Sequence, residues 1–543
     1  MKRFLETYDG KAFDLIVVGG GITGACVAYD AASRGLRVAL LEKKDFGWAT
    51  SAATSKLIHG GLRYLANLEV GLVRESLRER RILENIAPNF VYPLPFLVPT
   101  YEGMKSNKWV IETGMILYDI LSFDKGRTWD EGKKIPGHQS LSREEALRAE
   151  PNLRPEALTG AAVYYDCQSI CPERLTLAFI KSAAKHGAEV ANRAEVRGFL
   201  YGKDSRIRGV RVLDLIGGKE IEIEGTLTVN CGGPWADIVL RAAEKGETGH
   251  AIRRSEGIHV ITKPLVKDYA LALMTPAGRH LFLIPWRGHT LIGTTDKEYA
   301  GDPDAYRVTR ESVEEFLGEI NGSFGDGNLS FSDVLSAYGG LRPLVEDQVE
   351  GTYGSSRKYE IYDNGEEGFD GLITVEGGKY TTSRRLAEKV LDLVQKKLGK
   401  KLKDSITEEA YLSGCEIEDM EVFLARIQEE NPDFDPRTIE YLGKNYGTEY
   451  EEVLTLARQT EGLSSPVTAD GEILAEVVHA ARNEMVYTLK DIFFRRTGLG
   501  TLGNPGEEVV KRAGGIAAAE LGWSSERLAS ELDRVGQALR LPE

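Results

Sequence analysis

Residues 13–42 read FDLIVVGGGITGACVAYDAASRGLRVALLE, and this stretch decides the fold. It opens with a short apolar run, residues 13–18, which is typical of a buried parallel strand. The alanine-rich residues 22–33 then predict a helix, and a second apolar run at residues 37–41 predicts another strand. This order of elements predicts a βαβ unit of the size that binds a dinucleotide.

Three glycines, Gly19, Gly21 and Gly24, lie between the first strand and the helix with the spacing GxGxxG. They permit a tight turn, a close approach of backbone to a pyrophosphate, and tight packing of helix on strand. The helix N-terminus offers unpaired N–H groups to the same anion. Glu42 lies 23 positions after Gly19, where its carboxylate can bind ribose hydroxyls. We expect all four residues to bind the cofactor, although this pattern alone does not separate FAD from NAD.

Length and composition limit the remaining classes. A chain of 543 residues predicts two or three domains. The formal net charge of -15 argues against a nucleic-acid partner. Five scattered cysteines predict neither a disulfide framework nor an iron–sulfur cluster, and the eight histidines lack metal-ligand spacing. We therefore expect no metal.

Several further motifs carry a family resemblance. Residues 49–65 read ATSAATSKLIHGGLRYL, and they are followed by six other motifs in a fixed order: VNCGGPWAD (229–237), SEGIHVI (255–261), IPWRGHTLIGTTDKEY (284–299), YGGLRPL (338–344), EGGKYTTSRRLAEK (376–389) and FFRRTGL (493–499). Together they resemble the FAD-dependent glycerol-3-phosphate dehydrogenases, within the larger fold group of D-amino-acid oxidase. The resemblance spans nearly the whole chain.

This resemblance implies an α/β fold in which a Rossmann-like FAD-binding domain is interleaved with an antiparallel-sheet substrate domain, followed by a mainly helical C-terminal domain. We expect the FAD-binding domain at residues 1–90, 155–240 and 335–395. The substrate-binding domain is expected at residues 91–154 and 241–334, and the C-terminal domain at residues 404–543. Periodicity of 3.6 residues predicts C-terminal helices at residues 418–429 and 475–494.

The resemblance also implies the cofactor contacts. Hydroxyl side chains at residues 50–55 can lie against FAD without crowding it, and the helix after Gly377 can stabilise a reduced flavin through its N-terminal amides. Besides Gly19, Gly21, Gly24 and Glu42, the expected FAD-binding residues are Thr50, Ser51, Ser55, His59, Gly378, Lys379 and Thr381.

The implied activity is oxidation of sn-glycerol 3-phosphate to dihydroxyacetone phosphate. A phosphate dianion needs several cations, and the family motifs place Arg63, Arg342 and Lys379 in this role, with Tyr64 beside them. His259 is the expected proton acceptor and substrate contact, because imidazole titrates near neutral pH and its motif matches the family. Arg342 is expected to assist catalysis.

The resemblance implies a membrane quinone as the electron acceptor. The N-terminus lacks a signal peptide, and no run approaches the roughly 18 apolar residues of a spanning helix. We therefore expect a cytoplasmic protein, peripherally associated with the inner face of the cell membrane. Residues 104–123 place apolar side chains along one side of a helix, which suits either an interfacial helix or a helix packed on its own domain. A homodimer or separate partner subunits remain open.

Three alternative functions share these motifs. The first is a glycerol-3-phosphate oxidase that uses O2, and the second is an amine or amino-acid oxidase of the same fold. The third is a non-catalytic flavin-binding redox sensor with the C-terminal helices as an interaction module.

Overall fold

A computed structural model of the chain describes residues 1–65, 68–103, 107–243, 252–275, 278–325, 327–344 and 359–543. The strands in these ranges are β1 (Phe13–Val18), β2 (Val38–Leu41), β3 (Leu57–Ile58), β4 (Val91–Tyr101), β5 (Gln139–Ser142), β6 (Leu158–Ser169), β7 (Glu189–Ala191), β8 (Ala194–Tyr201), β9 (Ile207–Asp214), β10 (Glu220–Asn230), β11 (Arg253–Thr262), β12 (Ala270–Met274), β13 (His280–Trp286), β14 (His289–Gly293), β15 (Lys297–Glu298), β16 (Val334–Leu344), β17 (Tyr359–Asp363) and β18 (Leu372–Gly377).

The helices in the same ranges are α1 (Ile22–Ser33), α2 (Val70–Ile86), α3 (Lys108–Leu121), α4 (Arg143–Ala149), α5 (Pro172–Lys185), α6 (Ala236–Ala243), α7 (Arg310–Ser323), α8 (Ser383–Leu398), α9 (Met420–Glu430), α10 (Pro436–Tyr446), α11 (Tyr450–Gln459), α12 (Ala475–Asn483), α13 (Leu489–Asp491), α14 (Glu507–Leu521) and α15 (Ser525–Ala538). No helix in the described ranges is both long enough and apolar enough to cross a bilayer.

The first sheet is built around the βαβ unit that the sequence predicted. Its main strand order is β17-β18-β10-β1-β2-β7, and β1 pairs in parallel with both β2 and β10. Helix α1 packs against both α5 and α8 on this sheet. Five of the six residues of β1 are buried, which explains its uninterrupted apolar run. The predicted strand at residues 13–18 and helix at residues 22–33 are confirmed.

The second sheet is mostly antiparallel and follows the order β15-β11-β14-β13-β12-β4-β6-β3. Strand β14 pairs antiparallel with both β11 and β13 in this sheet. One face packs on α7, and the other carries an aromatic cluster under α2 and α3. The predicted fold class, with its two kinds of sheet and its C-terminal helices, is confirmed.

Three strands of the second sheet, β3, β6 and β16, come from segments that the sequence analysis assigned to the FAD-binding domain. Strand β6 pairs with β4, and β16 pairs with β11 along ten positions. The pattern of alternation within these strands does not reveal which sheet they join, because long-range pairing decides it. The domain boundaries of the sequence analysis stay a proposal.

The C-terminal domain packs α9 to α15 around its own apolar core. The helix predicted at residues 475–494 is interrupted: α12 ends at Asn483, Met485 takes a left-handed φ of +54°, and a short π-helix covers Ile492–Arg496. The interruption has a physical reason. Glu484 pairs with Arg174 and Lys181, while Arg495 and Arg496 turn toward the first domain, and an unbroken helix would not present all of these groups.

A buried ion-pair group joins this domain to the loop after β2. The Asp45 carboxylate lies 2.6 Å from Arg495 Nε and 2.8 Å from Arg496 Nη2, and it also accepts a hydrogen bond from Asn192. These arginine charges hold the pKa of the buried Asp45 well below its usual value, against the opposing effect of burial. Removing one partner of such a buried group leaves an uncompensated charge, so the contact fixes the two domains together.

Candidate active site

A large cleft of about 1340 Å³ opens where the carboxyl ends of β1, β2 and β10 face the second sheet. In open α/β sheets, ligands bind outside the carboxyl ends of the strands, at the point where the strand order reverses. Strand β1 lies at such a point, because β2 and β10 flank it on either side. All the site residues predicted from the sequence line this cleft except Gly24, which packs beneath the turn: Gly19, Gly21, Glu42, Thr50, Ser51, Ser55, His59, Arg63, Tyr64, His259, Arg342, Gly378, Lys379 and Thr381.

The glycine turn has no room for side chains. A β-carbon on Gly24 would lie 1.9 Å from the Gly19 carbonyl oxygen, and one on Gly19 would lie 2.5 Å from the Cys231 carbonyl oxygen. Gly19 also has a φ of +107°, in the left-handed region. Helix α1 can therefore begin against the end of β1 and direct its N-terminus into the cleft.

Two polar side chains hold this turn. Ser51 Oγ accepts a hydrogen bond of 2.9 Å from the backbone N–H of Ile22, so it caps the first turn of α1. The Glu42 carboxylate accepts 2.7 Å hydrogen bonds from the backbone N–H groups of Gly20 and Lys44. Burial raises the pKa of Glu42 above its usual value, in spite of these bonds. The capping role of Ser51 is a contact that the sequence analysis did not foresee.

The region beyond Glu42 suits the adenosine end of a dinucleotide. Ala194 and Val196 line it with small apolar side chains. At its rim Trp48 and Trp235 pack with ring centroids 5.4 Å apart, and Lys44 Nζ lies 3.8 Å from the Trp48 ring centroid. Apolar walls, a bare glycine turn and a helix N-terminus together match the chemistry of an extended dinucleotide such as FAD.

His259 lies buried in the middle of the cleft, on β11. Its Nε2 is 2.8 Å from Ser55 Oγ, and its ring stacks on Tyr338 with centroids 4.9 Å apart. Burial lowers the pKa of His259 well below its usual value, and the charges of Arg342 and Lys56 lower it further. The imidazole is therefore neutral near pH 7 and able to accept a proton.

Arg342 lies across the backbone of the neighbouring strand. Its guanidinium donates to Thr294 Oγ1 at 2.7 Å and to the Thr295 carbonyl at 3.2 Å. A β-carbon on Gly257 would lie 1.8 Å from Arg342 Nη2, so only glycine permits this position. The sequence analysis missed Gly257, Thr294 and Thr295. An isolated glycine inside a strand pattern was the available signal, since it often marks a close approach of another group.

Arg63 and Lys379 meet around Tyr64. Arg63 donates to the Tyr64 hydroxyl at 3.1 Å, and Lys379 Nζ lies 3.9 Å from the Tyr64 ring centroid and 3.1 Å from Ser76 Oγ. Both cations border His59, and burial together with their charges lowers the pKa of His59 to about 4, although Asp166 opposes this effect. The predicted substrate-binding residues therefore form two groups in the cleft. One group is Arg63 and Lys379 around Tyr64, and the other is His259 and Arg342 on the second sheet.

The turn after β18 forms one edge of the cleft. Gly377 and Gly378 have φ values of +71° and +94°, and the chain then passes through a 3-10 turn, Tyr380–Thr382, into α8. Thr381 Oγ1 accepts a 3.2 Å hydrogen bond from the backbone N–H of His59 and so joins this turn to residues 57–59. Arg384 of the same motif is buried against Glu79 at 2.6 Å and stabilises the packing of α8 on α2.

Comparisons with known proteins agree with this geometry. A family described as FAD dependent oxidoreductase matches residues 14–384, and the C-terminal domain of alpha-glycerophosphate oxidase matches residues 405–528. The chain is 34% identical over 547 residues to a glycerol-3-phosphate dehydrogenase of Synechocystis sp., covering 98% of this chain and 97% of that protein. It is 32% identical over 500 residues to an aerobic glycerol-3-phosphate dehydrogenase of Staphylococcus saprophyticus, covering 90% and 87%.

Among solved structures, the chain is similar to the glycerol-3-phosphate dehydrogenase of Bacillus halodurans in complex with FAD. The TM-score is 0.77 at 29% identity, and the match covers 97% of this chain and 95% of that one. The cofactor inferred from the motifs is thereby confirmed, and the chain belongs to the family of FAD-dependent glycerol-3-phosphate dehydrogenases.

Proposed function

We propose that the protein oxidises sn-glycerol 3-phosphate to dihydroxyacetone phosphate and passes the electrons to a membrane quinone. The observation that carries the first half is the cleft itself, which a buried histidine and three cations line together with the glycine turn. The names of the similar dehydrogenases support the same substrate.

The three cations are the proposed phosphate contacts. Arg63 and Lys379 already converge on Tyr64, and Arg342 approaches the same cleft from the second sheet. A guanidinium offers paired donors to phosphate oxygens, whereas an ammonium contributes a compact charge. Seating the phosphate among them leaves the carbinol end of the substrate to face His259. An amino-acid substrate would need a cation for its carboxylate but not three.

His259 is the proposed acceptor of the hydroxyl proton. Its Nε2 is the nitrogen that contacts Ser55, and that hydroxyl together with Tyr338 fixes the ring orientation. FAD supplies the hydride acceptor when it is bound, and the protein supplies position, charge and exclusion of water. Arg342 Nη2 donates to Thr294 Oγ1. We propose that the same guanidinium stabilises the negative charge that develops on the substrate hydroxyl oxygen during proton removal.

The acceptor half of the proposal is supported by the surface of α3. Trp109 and Ile120 on α3 and Phe123 just after it are 78%, 62% and 70% exposed. Exposed apolar groups on one element are typical of protein or membrane interaction sites. We propose that this surface rests on the inner face of the cell membrane, with the protein on the cytoplasmic side. Residues 104–106, at the start of the predicted interfacial segment, lie outside the described residues.

The function is tested by adding sn-glycerol 3-phosphate to the FAD-loaded protein without oxygen. We expect the flavin absorbance to bleach, with about one dihydroxyacetone phosphate formed per flavin, because the cleft seats the phosphate beside the cofactor. Glycine and other amino acids serve as controls and should leave the flavin oxidised. Bleaching by amino acids alone would favour an amine oxidase, and no bleaching by any of them would favour a redox sensor. Rapid, stoichiometric peroxide release in air would favour the oxidase.

Replacing Arg342 should impair catalysis far more than replacing a surface arginine. We expect Arg342→Ala to lower kcat/KM about 30- to 1000-fold, equivalent to about 2–4 kcal/mol, because a charge-assisted contact to the substrate is lost. The matched control is Arg426→Ala on α9, whose side chain is exposed. An Arg342→Ala efficiency within about threefold of the wild type would remove Arg342 from the site.

The pH dependence follows from the low pKa of His259. A proton acceptor works only when it is unprotonated, so lowering the pH inhibits it only near or below its pKa. Because burial lowers the pKa of His259 well below its usual value, we expect kcat at saturating substrate to stay constant between neutral pH and pH 6.5 and to fall only in more acidic buffer. We use kcat because the free substrate phosphate itself titrates at about pH 6 and would affect kcat/KM. The acidic fall should be lost in the weakly active His259→Gln variant. A wild-type midpoint at or above pH 6.5 would contradict this role.

Membrane attachment is tested by sedimentation with phosphatidylglycerol vesicles. The triple variant Trp109→Ser, Ile120→Ser and Phe123→Ser should sediment with the vesicles at least about tenfold less than the wild type, because each lost apolar side chain removes roughly 1–3 kcal/mol of burial in the lipid. Val422→Ser is the control, since Val422 is an exposed apolar residue on α9. Equal sedimentation of the triple variant and the wild type would exclude α3 as the contact.

A further inference from the structure

We propose that Ser55 relays the substrate proton to His259, so that the serine hydroxyl, and not the imidazole, receives the hydrogen bond of the substrate hydroxyl. Ser55 Oγ lies 2.8 Å from His259 Nε2, and both residues line the cleft. The inference rests on the proposed oxidation of sn-glycerol 3-phosphate, and it adds a second catalytic residue to that reaction.

The imidazole ring of His259 is covered by protein. It is 1% exposed, although it borders the cleft. Tyr338 stacks on the ring at an interplanar angle of 14°, and a β-carbon on Gly293 would lie 2.2 Å from Cδ2 and 2.7 Å from Nε2. The backbone at Gly293 therefore packs against the edge of the ring that Ser55 contacts. Ser55 itself is half-buried, so a substrate in the cleft reaches the serine hydroxyl before it reaches the ring.

The second ring nitrogen does not offer another route. His259 Nδ1 is buried and has no hydrogen-bond partner among the described residues. A neutral imidazole has one donor nitrogen and one acceptor nitrogen. We assign the ring proton to Nδ1, because Nε2 can then accept the proton of the Ser55 hydroxyl.

The hydroxyl of Ser55 differs from its neighbours in what it contacts. Thr50 donates to a backbone carbonyl, and Ser51 and Thr54 accept from backbone N–H groups, so these three hydroxyls hold the local chain. Ser55 Oγ instead contacts a titratable ring. A hydroxyl both donates and accepts, so Ser55 can accept from the substrate while it donates to His259.

Tyr338 fixes the distance between the two groups. Its ring stacks on His259 with centroids 4.9 Å apart, while its hydroxyl donates to the Thr54 carbonyl at 2.8 Å, directly before Ser55. On the other side of Ser55, Lys56 is buried in an ion pair and has a left-handed φ of +53°. The serine is therefore held from both sides, as a group that transfers a proton over hydrogen-bond distance must be.

The proton transfers balance with the hydride transfer. As the hydride leaves the carbinol carbon for the cofactor with the C–H electron pair, the substrate O–H proton passes to Ser55 Oγ, and the Ser55 proton passes to His259 Nε2. The C–O bond becomes the carbonyl of dihydroxyacetone phosphate, and His259 becomes an imidazolium. After the product leaves, the proton returns through Ser55 to water in the cleft.

The environment of His259 makes this proton easy to release. Burial, together with the charges of Arg342 and Lys56, lowers the pKa of His259. A weakly basic ring does not remove the proton in advance, so both protons move in the same step as the hydride.

The test compares two side chains of equal shape at residue 55. Ser55→Thr keeps a hydroxyl, whereas Ser55→Val puts a methyl group in its place. The matched control is Thr262→Val on β11, whose hydroxyl donates to the backbone carbonyl of Lys263. Each variant is loaded with FAD, and its FAD content is measured by absorbance. Reduction by sn-glycerol 3-phosphate is then followed without oxygen in mixtures of H2O and D2O.

We expect Ser55→Val to slow flavin reduction at saturating substrate at least about 100-fold, and Ser55→Thr to stay within about tenfold of the wild type. The wild-type rate should fall along a curve as the D2O fraction rises, because two protons move together, and Thr262→Val should behave in the same way. Equal rates in Ser55→Val and Ser55→Thr, or a linear dependence in the wild type, overturn the relay. If the β-branched variants fail to fold, Ser55→Ala decides, with reduction at least about tenfold slower than in the wild type.

A second measurement does not depend on turnover. In the FAD-loaded protein labelled with 15N histidine, the His259 signals are those absent from His259→Gln. We expect Nε2 of the wild type to have the chemical shift of an unprotonated nitrogen, and Ser55→Ala to move part of the ring proton to Nε2. A protonated Nε2 in the wild type that does not change in Ser55→Ala overturns the relay, while reduction by the substrate keeps the proposed oxidation intact. A wild type that the substrate does not reduce overturns both.

Discussion

The structure depends on one steric constraint, the absence of a β-carbon at Gly24. Because the Gly19 carbonyl oxygen occupies the place where that atom would lie, α1 begins directly at the end of β1 and its first turn faces the cleft. Strand β1 lies between β2 and β10, so the sheet extends from β1 in both directions, and the cleft forms at this point. The proposed contacts with FAD and substrate, apart from Gly24 itself, line this cleft.

Two groups of cations within the described residues differ in burial and in their partners. Arg384, Arg80 and Arg496 are almost fully buried and are neutralised by Glu79, Asp166 and Asp45, so they stabilise packing between helices, sheet and C-terminal domain. Arg63, Arg342 and Lys379 instead line the cleft and contact hydroxyls, carbonyls and an aromatic ring.

The two domains with sheets divide the chemistry between them. The first sheet provides the dinucleotide turn, whose backbone groups approach the cofactor closely. The second provides one face that carries His259 and Arg342 together with an aromatic cluster. Segments 49–65 and 377–382 lie between the sheets and are joined by the hydrogen bond from His59 to Thr381. The C-terminal domain reaches this region through Asp45, only three residues after Glu42.

The sequence by itself determined the features that depend on neighbours along the chain. The apolar run of β1, the glycine spacing and the start of α1 follow from local sterics and periodicity. The family motifs indicated FAD, and together with the glycine pattern they indicated fourteen of the residues that line the cleft. Only the tertiary structure decided which distant groups meet. Ser55 and His259 are 204 positions apart, and Arg342 rests on Gly257 through the pairing of β16 with β11. The break after α12 and the sheet membership of β6 and β16 were decided in the same way, because buried ion pairs and strand pairing act between residues whose separation in sequence carries no periodic signal.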